Sequence, residues 1–100
     1  MFIKSLETFL EIAAQKPKRT IAVAAAEDEP VLQAVVAAEK AGIANAILVG
    51  NKAKIQDFAG ELGLDISHLQ IMEENDPAVS ARKAVALVRE GGAQVLMKGL

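Results

Sequence analysis

Cysteine, tryptophan and tyrosine are missing from the 100 residues, and three phenylalanines bring aromatics to only 3% of the chain. Without thiols, disulfides, thiolate metal ligands and a cysteine nucleophile are all excluded, as suits a chain that never meets an oxidising compartment. A cytoplasmic location is the expectation. With so few rings the core has to be built from Val, Ile, Leu and Ala, the makeup of a parallel sheet covered by helices. Basic charge is scarce as well: 11 Lys and Arg stand against 13 Asp and Glu, for a formal net charge of -2 and a pI near 5.4. No Lys/Arg cluster is interleaved with rings, so the footprint of a nucleic-acid binder is lacking. No window approaches the roughly 20 apolar residues of a membrane span. The start, Met1-Phe2-Ile3-Lys4-Ser5-Leu6, meets charge early and acids at Glu7 and Glu11, unlike the apolar stretch of a signal peptide. Neither nucleic acid nor membrane is an expected partner.

The hydrophobic fraction of 52% argues against disorder, and a chain of this length holds one modest core. Apolar runs of strand length alternate with helical patterns. Ser5 to Gln15 carries Leu6, Phe9, Leu10 and Ala13 on one helical face, with Ser5 as N-cap. A first strand follows over Ile21 to Ala25, apolar on both faces as a buried parallel strand is. Asp28 or Glu29 then caps a helix with Pro30 in its first turn and Leu32, Val35, Val36 and Glu39 on its repeat; Gly42 terminates it. Ala46 to Val49 is the second strand. Gly50-Asn51 reads as an ordinary turn, and Asn51 caps a helix carrying Ile55, Phe58, Ala59 and Leu62 that stops at Gly63. Leu69 to Met72 is the third strand. Asp76 and Pro77 repeat the cap-and-proline start for a helix expected to bury Val79, Ala84, Val85 and Val88, and Gln94 to Met97 is the fourth strand. Such βα repeats predict an α/β fold with a mostly parallel sheet and helices on both faces, a three-layer α/β/α arrangement.

The last run, Val95-Leu96-Met97-Lys98-Gly99-Leu100, is a strand that reaches Lys-Gly where a strand-to-helix connection is expected. Ligands of open α/β sheets sit outside the carboxyl ends of the strands, so Lys98 is placed to meet an anion and Gly99 to let backbone approach it. The plain alternative is a solvated lysine. The unit is expected to be incomplete at its C-terminus, a piece of a longer protein. An uncovered fourth strand is then expected to promote self-association or marginal folding.

Glu27, Asp28 and Glu29 stand at the exit of the first strand, where carboxylates suit a cation or a substrate hydroxyl. Helix capping and the helix dipole explain them without a ligand, and the same holds for Glu73, Glu74 and Asp76. His68 is the only histidine and is read as part of a polar loop, so no metal site is expected. Arg82 and Arg89 are read as solvent-facing or paired with carboxylates such as Glu90.

Three segments, Thr20 to Asp28, Ala46 to Asn51 and Ala93 to Leu100, together resemble the amino-terminal part of the phosphate acetyl/butyryl transferases, and the terminal Met-Lys-Gly-Leu run is the most specific of them. The resemblance implies the amino-terminal lobe, residues 1–100, of a longer two-domain acyltransferase with an isocitrate/isopropylmalate dehydrogenase-like fold. It implies exchange of an acyl group between coenzyme A and inorganic phosphate, with the coenzyme A thioester as substrate and no bound cofactor or metal, in a homo-oligomer. Lys98, Gly99 and Glu27 would line one wall of the substrate cleft, and the catalytic residues would come from sequence beyond Leu100. A different class of reading is a free-standing flavodoxin-like phosphate-binding or signalling module, because acids after the first strand and a lysine after the last superficially resemble a phospho-receiver pocket. A purely structural or assembly role is a third.

Overall fold

The computed structural model describes residues 2–3 and 19–98. The expected helix over Ser5 to Gln15, together with Gly99 and Leu100, lies outside the described residues. Five strands form one sheet: β1 (Phe2–Ile3), β2 (Arg19–Ala24), β3 (Ala44–Gly50), β4 (Gln70–Glu73) and β5 (Val95–Lys98). They lie in the order β1-β5-β2-β3-β4, and every pairing is parallel. Three described helices connect them: α1 (Glu29–Lys40), α2 (Lys52–Leu62) and α3 (Pro77–Arg89).

The helix starts follow from their caps. Asp28 accepts from the Val31 amide, Asn51 from Lys54, and Asp76 from Ala78 and Val79, each side chain satisfying amides that the first helical turn leaves without partners. Pro30 and Pro77 occupy first-turn positions where their missing N–H costs nothing. Gly63 closes α2 at φ 67°, a left-handed geometry that its lack of Cβ permits.

Strand alternation divides the core in two. Ile21, Val23, Ala44, Ala46, Leu48, Val95 and Met97 face α1 and α2, meeting Leu32, Val35, Ala38 and Ile55. Ala22, Ala24, Ile47, Val49 and Ala93 face the other way, against Ala84 with Ala81, Leu87 and Val88 of α3. The three-layer expectation is therefore correct for the described residues. On this face β2 contributes only Ala22 and Ala24, and α3 meets it with Ala84.

One strand was not anticipated and one expectation needs correction. β5 pairs with β2 on one side and with β1 on the other, and β1 is a strand that the sequence pattern did not reveal. Val85 is exposed rather than buried. The buried line of α3 runs through Ser80 and Ala84, and Ser80 is drawn inward by hydrogen bonds that an apolar repeat cannot anticipate.

His68, exposed in the segment between α2 and β4, bonds through Nε2 to Glu39 near the end of α1. That bond raises the His68 pKa above its ordinary 6.5; the charges of Glu39 and Asp65 act in the same direction, while partial desolvation and Lys40 oppose it. A pKa raised on folding contributes stability that is full below the unfolded value and is lost as pH rises through the folded value. The melting-temperature advantage of the wild-type chain over His68→Ala is therefore expected to be largest below pH 6.5 and to shrink as pH rises. Thermal melts of both chains across that range test this, and an advantage that grows with pH would contradict the pairing.

Candidate functional site at the strand exits

Chain reversal locates the site. From β2 the chain steps outward through α1, β3 and α2 to β4, then α3 carries it back past β3 and β2 to β5 on the far side. Right-handed crossovers put α1 and α2 on one face and α3 on the other, so the connections diverge between β2 and β5 and open a crevice at their carboxyl ends. Lys98, the last residue of β5, is exposed and pairs in register with Ala24, the last residue of β2. Glu27 follows Ala24 by three residues. The two predicted side chains thus share one rim, as their positions at strand exits required.

The turn that delivers Glu27 is under constraint. The first strand ends at Ala24, one residue earlier than expected, because Ala25 adopts φ 50° and swings the chain off the sheet. A left-handed alanine costs about 1–2 kcal/mol. Three hydrogen bonds hold it: the Ala25 amide donates to Ser80 Oγ at 3.1 Å, the Ser80 hydroxyl donates to the Val49 carbonyl at 2.8 Å, and the Ala26 amide donates to the same carbonyl at 3.0 Å. Ser80 is 1% exposed. One buried hydroxyl thereby joins α3 to the exits of β2 and β3. The sequence reading passed over Ser80, whose only signal was a polar residue one turn before Ala84 on an apolar face.

The three acids after β2 have separated roles. Asp28 is the helix cap, as expected, with its Oδ1 3.0 Å from the Val31 amide. Glu29 is exposed in the first turn of α1, where its charge complements the helix dipole. Glu27 caps nothing. It is partly buried, and its Oε1 is sealed from solvent without a hydrogen-bond partner among the described residues. The carboxylate lies against Gly50, where a Cβ would stand 2.2 Å from Oε1 and 3.2 Å from the Ala26 nitrogen. Gly50 is therefore no ordinary turn residue: it is the buried last residue of β3, and its missing side chain leaves the space that Glu27 occupies.

The acids after β4 are structural. Glu73 accepts from the Lys52 amide at 2.8 Å. Glu74 is salt-bridged to Lys83 at 2.7 Å, and that contact, seconded by the Asp76 amide, lowers its pKa. Asn51 donates to Asn75 at 2.8 Å, tying the β3 and β4 exits together. Arg82 and Arg89 are exposed on α3, and no carboxylate within salt-bridge distance of either is seen among the described residues. No described cluster of His, Asp or Glu is arranged to hold a metal ion. No described helix is long and apolar enough to cross a membrane.

Beside Glu27 the rim holds an open hollow of about 240 Å³ lined by Ala25, Glu27, Lys54, Phe58 and Pro77. Its lining combines an acid, an exposed lysine and apolar side chains. A separate polar hollow of about 430 Å³ at the opposite end of the sheet includes Glu39, Asn45, His68 and Gln70.

Two substitutions test this construction. Ser80→Ala removes the partner of the Ala25 amide, while the Val49 carbonyl keeps Ala26, so a loss of about 1–3 kcal/mol is expected in denaturant unfolding. A neutral result would show that the strained turn does not need the hydroxyl. Gly50→Ala forces the Glu27 carboxylate aside and is expected to destabilise by about 1–3 kcal/mol. In a Glu27→Ala background that loss should fall, because the nearest clashing atoms are gone. Strictly additive losses in the double-mutant cycle would refute the proposed packing.

Comparison with known proteins agrees with this geometry. Residues 5–96 match the profile of the family described as Phosphate acetyl/butaryl transferase. Phosphate butyryltransferase of Clostridium beijerinckii is 43% identical over 97 residues, which are 97% of this chain and 32% of that protein. The enzyme of the same name from Clostridium acetobutylicum is 44% identical over 98 residues, 98% of this chain and 33% of its own length. Among solved structures, EutD phosphotransacetylase from Staphylococcus aureus superposes with a TM-score of 0.56 at 26% identity, covering 86% of this chain and 26% of that one. The chain spans about one third of the length of the curated relatives it matches. With 92 of its 100 residues inside the family profile, the chain belongs to the phosphate acetyl/butyryl transferase family.

Proposed function

We propose that the chain forms one wall of an acyltransferase site that exchanges a butyryl, acetyl or branched-chain acyl group between coenzyme A and inorganic phosphate. The observation that carries this reading is the position of Glu27 and Lys98 at the exits of two neighbouring strands, β2 and β5, where strand order reverses, in a chain of this family. Lys98 is an exposed cation suited to the phosphate. Glu27 adds a partly buried carboxylate to the same rim. Gly99 is assigned to the same wall on its sequence position alone. Coenzyme A takes part as a thioester substrate, no resident cofactor is invoked, and a cytoplasmic homo-oligomer of a fermenting bacterium is the proposed setting, without nucleic-acid or membrane partners.

The chemistry explains what one wall can and cannot do. Attack of phosphate on a thioester requires two anionic substrates held in contact and donors fixed on the carbonyl oxygen as it gains charge. Lys98 can neutralise one anion, yet it cannot also serve as the oxyanion donor. Those tasks fall to further residues of the longer protein. The module reading gains nothing from the rim, since Asp28 is spent on a cap and Glu73 and Glu74 on their own neighbours.

The test is a chimera in which residues 1–100 replace the corresponding third of the Clostridium beijerinckii enzyme, assayed for thiol release from butyryl-CoA and phosphate. Activity is expected, with a loss of about 100-fold or more for Lys98→Ala, the scale of removing one preorganised charge. A folded but inactive chimera would count against the assignment, and full activity of Lys98→Ala would remove that residue from the site. The chain alone should release thiol no faster than background.

A further inference from the structure

We propose that Ser80 is a positioning residue for the reaction: from behind the rim, its hydroxyl holds β2 off the sheet at Ala25 and so keeps the strand-exit crevice open. The inference rests on the acyl-transfer reading and adds to it a residue of α3.

The strand register shows what the bend at Ala25 does. Ala24 is the last residue of β2 paired on both sides, with Val49 of β3 and with Lys98 of β5. β3 runs one residue further, to Gly50, which pairs with Glu73 of β4 and has no partner on β2. A β2 that stayed extended at Ala25 would lie beside Gly50 and prolong the pairing past Lys98, closing the crevice with its own backbone. Instead Ala25 turns at φ 50° and the Ala26 amide folds back onto the Val49 carbonyl. Gly50 is thereby left clear of β2, and the Glu27 carboxylate lies over it.

Holding that turn takes a group that accepts and donates at once. The Ala25 amide needs an acceptor and the Val49 carbonyl takes a donor; Ser80 Oγ serves both, at 3.1 and 2.8 Å. A methyl group in its place serves neither. The tie extends beyond two strands, because the Gly50 carbonyl accepts from the Glu74 amide at 2.9 Å. One hydroxyl thus secures the exits of β2 and β3 and, through Gly50, bears on that of β4. Ser80 is itself 1% exposed and meets no substrate. It acts through Ala25 and Glu27, which line the open hollow at the rim.

The experiment compares Ser80→Ala with Val35→Ala, a buried substitution on α1 away from the rim, both in the acyltransferase chimera and at a temperature where both are folded. Ser80→Ala is expected to lower kcat by about 10–100-fold, the scale of a small misplacement at a reacting centre. KM for phosphate should hold, because Lys98 stands on β5, and Val35→Ala should keep the kcat of the unsubstituted chimera. Adding Ala25→Gly to Ser80→Ala is expected to restore much of the lost kcat, since glycine takes a φ of 50° without the cost that alanine carries. Undiminished kcat in folded Ser80→Ala, an equal loss in Val35→Ala, or no gain from Ala25→Gly would each overturn the inference. Hydrogen exchange on the 100-residue chain keeps it separable from the acyl-transfer reading: Ser80→Ala should speed exchange of the Ala25 amide by about tenfold, the worth of one hydrogen bond. Faster exchange in that chain, beside a folded chimera that transfers no acyl group, would sink the acyl-transfer reading and leave the hold of Ser80 on β2 standing. Unchanged exchange beside an active chimera would do the reverse.

Discussion

One buried hydroxyl determines the shape of the strand-exit rim. Ser80 reaches from α3 to the backbone of both β2 and β3, and the small side chains where the two layers meet, Ala22 and Ala24 on β2 and Ala84 on α3, suit that close approach. Close approach of helix to sheet is therefore a condition for the contact. The contact in turn fixes the strained Ala25, and Ala25 decides where Glu27 is delivered. Packing on a face remote from solvent is thus converted into the position of the Glu27 carboxylate. A larger residue at Ala84 or Ala24 would act on the rim without touching it.

Acidic residues at strand exits serve two purposes that composition alone does not separate. Asp28 and Asp76 are one hydrogen bond away from the amides of their own helices, so their carboxylates are occupied by local structure. Glu27 lies one residue before a cap and has the longer side chain, which carries its carboxylate back over Gly50 instead of forward to the helix. The difference between an acid bound to its own helix and one held over the strand exits is here one residue of position and one methylene of reach.

Most of the fold was legible in the sequence. Strands β2 to β5 and helices α1 to α3 announced themselves through apolar runs, Asp/Asn caps, first-turn prolines and terminating glycines, all of which act within a few residues of one another. What escaped were features decided by distant contacts. The two-residue β1 is too short to show a period and exists as a strand because β5 lies beside it. Ser80 looked like an interruption of an apolar face, and its inward position displaced Val85 outward. Gly50 read as a turn because the carboxylate that excludes a side chain there comes from 23 residues earlier in sequence. The site was legible in outline for the same reason: parallel strands put all their exits on one rim, so Lys98 and Glu27 could be placed together from order alone. Which of three neighbouring acids remained unoccupied was not legible, because that depends on which amides each side chain meets in three dimensions.

Charge is divided unevenly around the rim. Lys98 presents an exposed cation, which attracts any anion and distinguishes none. Glu27 is partly buried, and its Oε1 has no hydrogen-bond partner among the described residues, so its surroundings favour a donor over a second carboxylate. The strain at Ala25 and the enforced glycine at position 50 are the structural costs of holding that carboxylate in place. A rim selected for stability alone would have placed a donor beside Glu27 or an apolar residue in its stead, since either choice removes an unpaired buried acceptor.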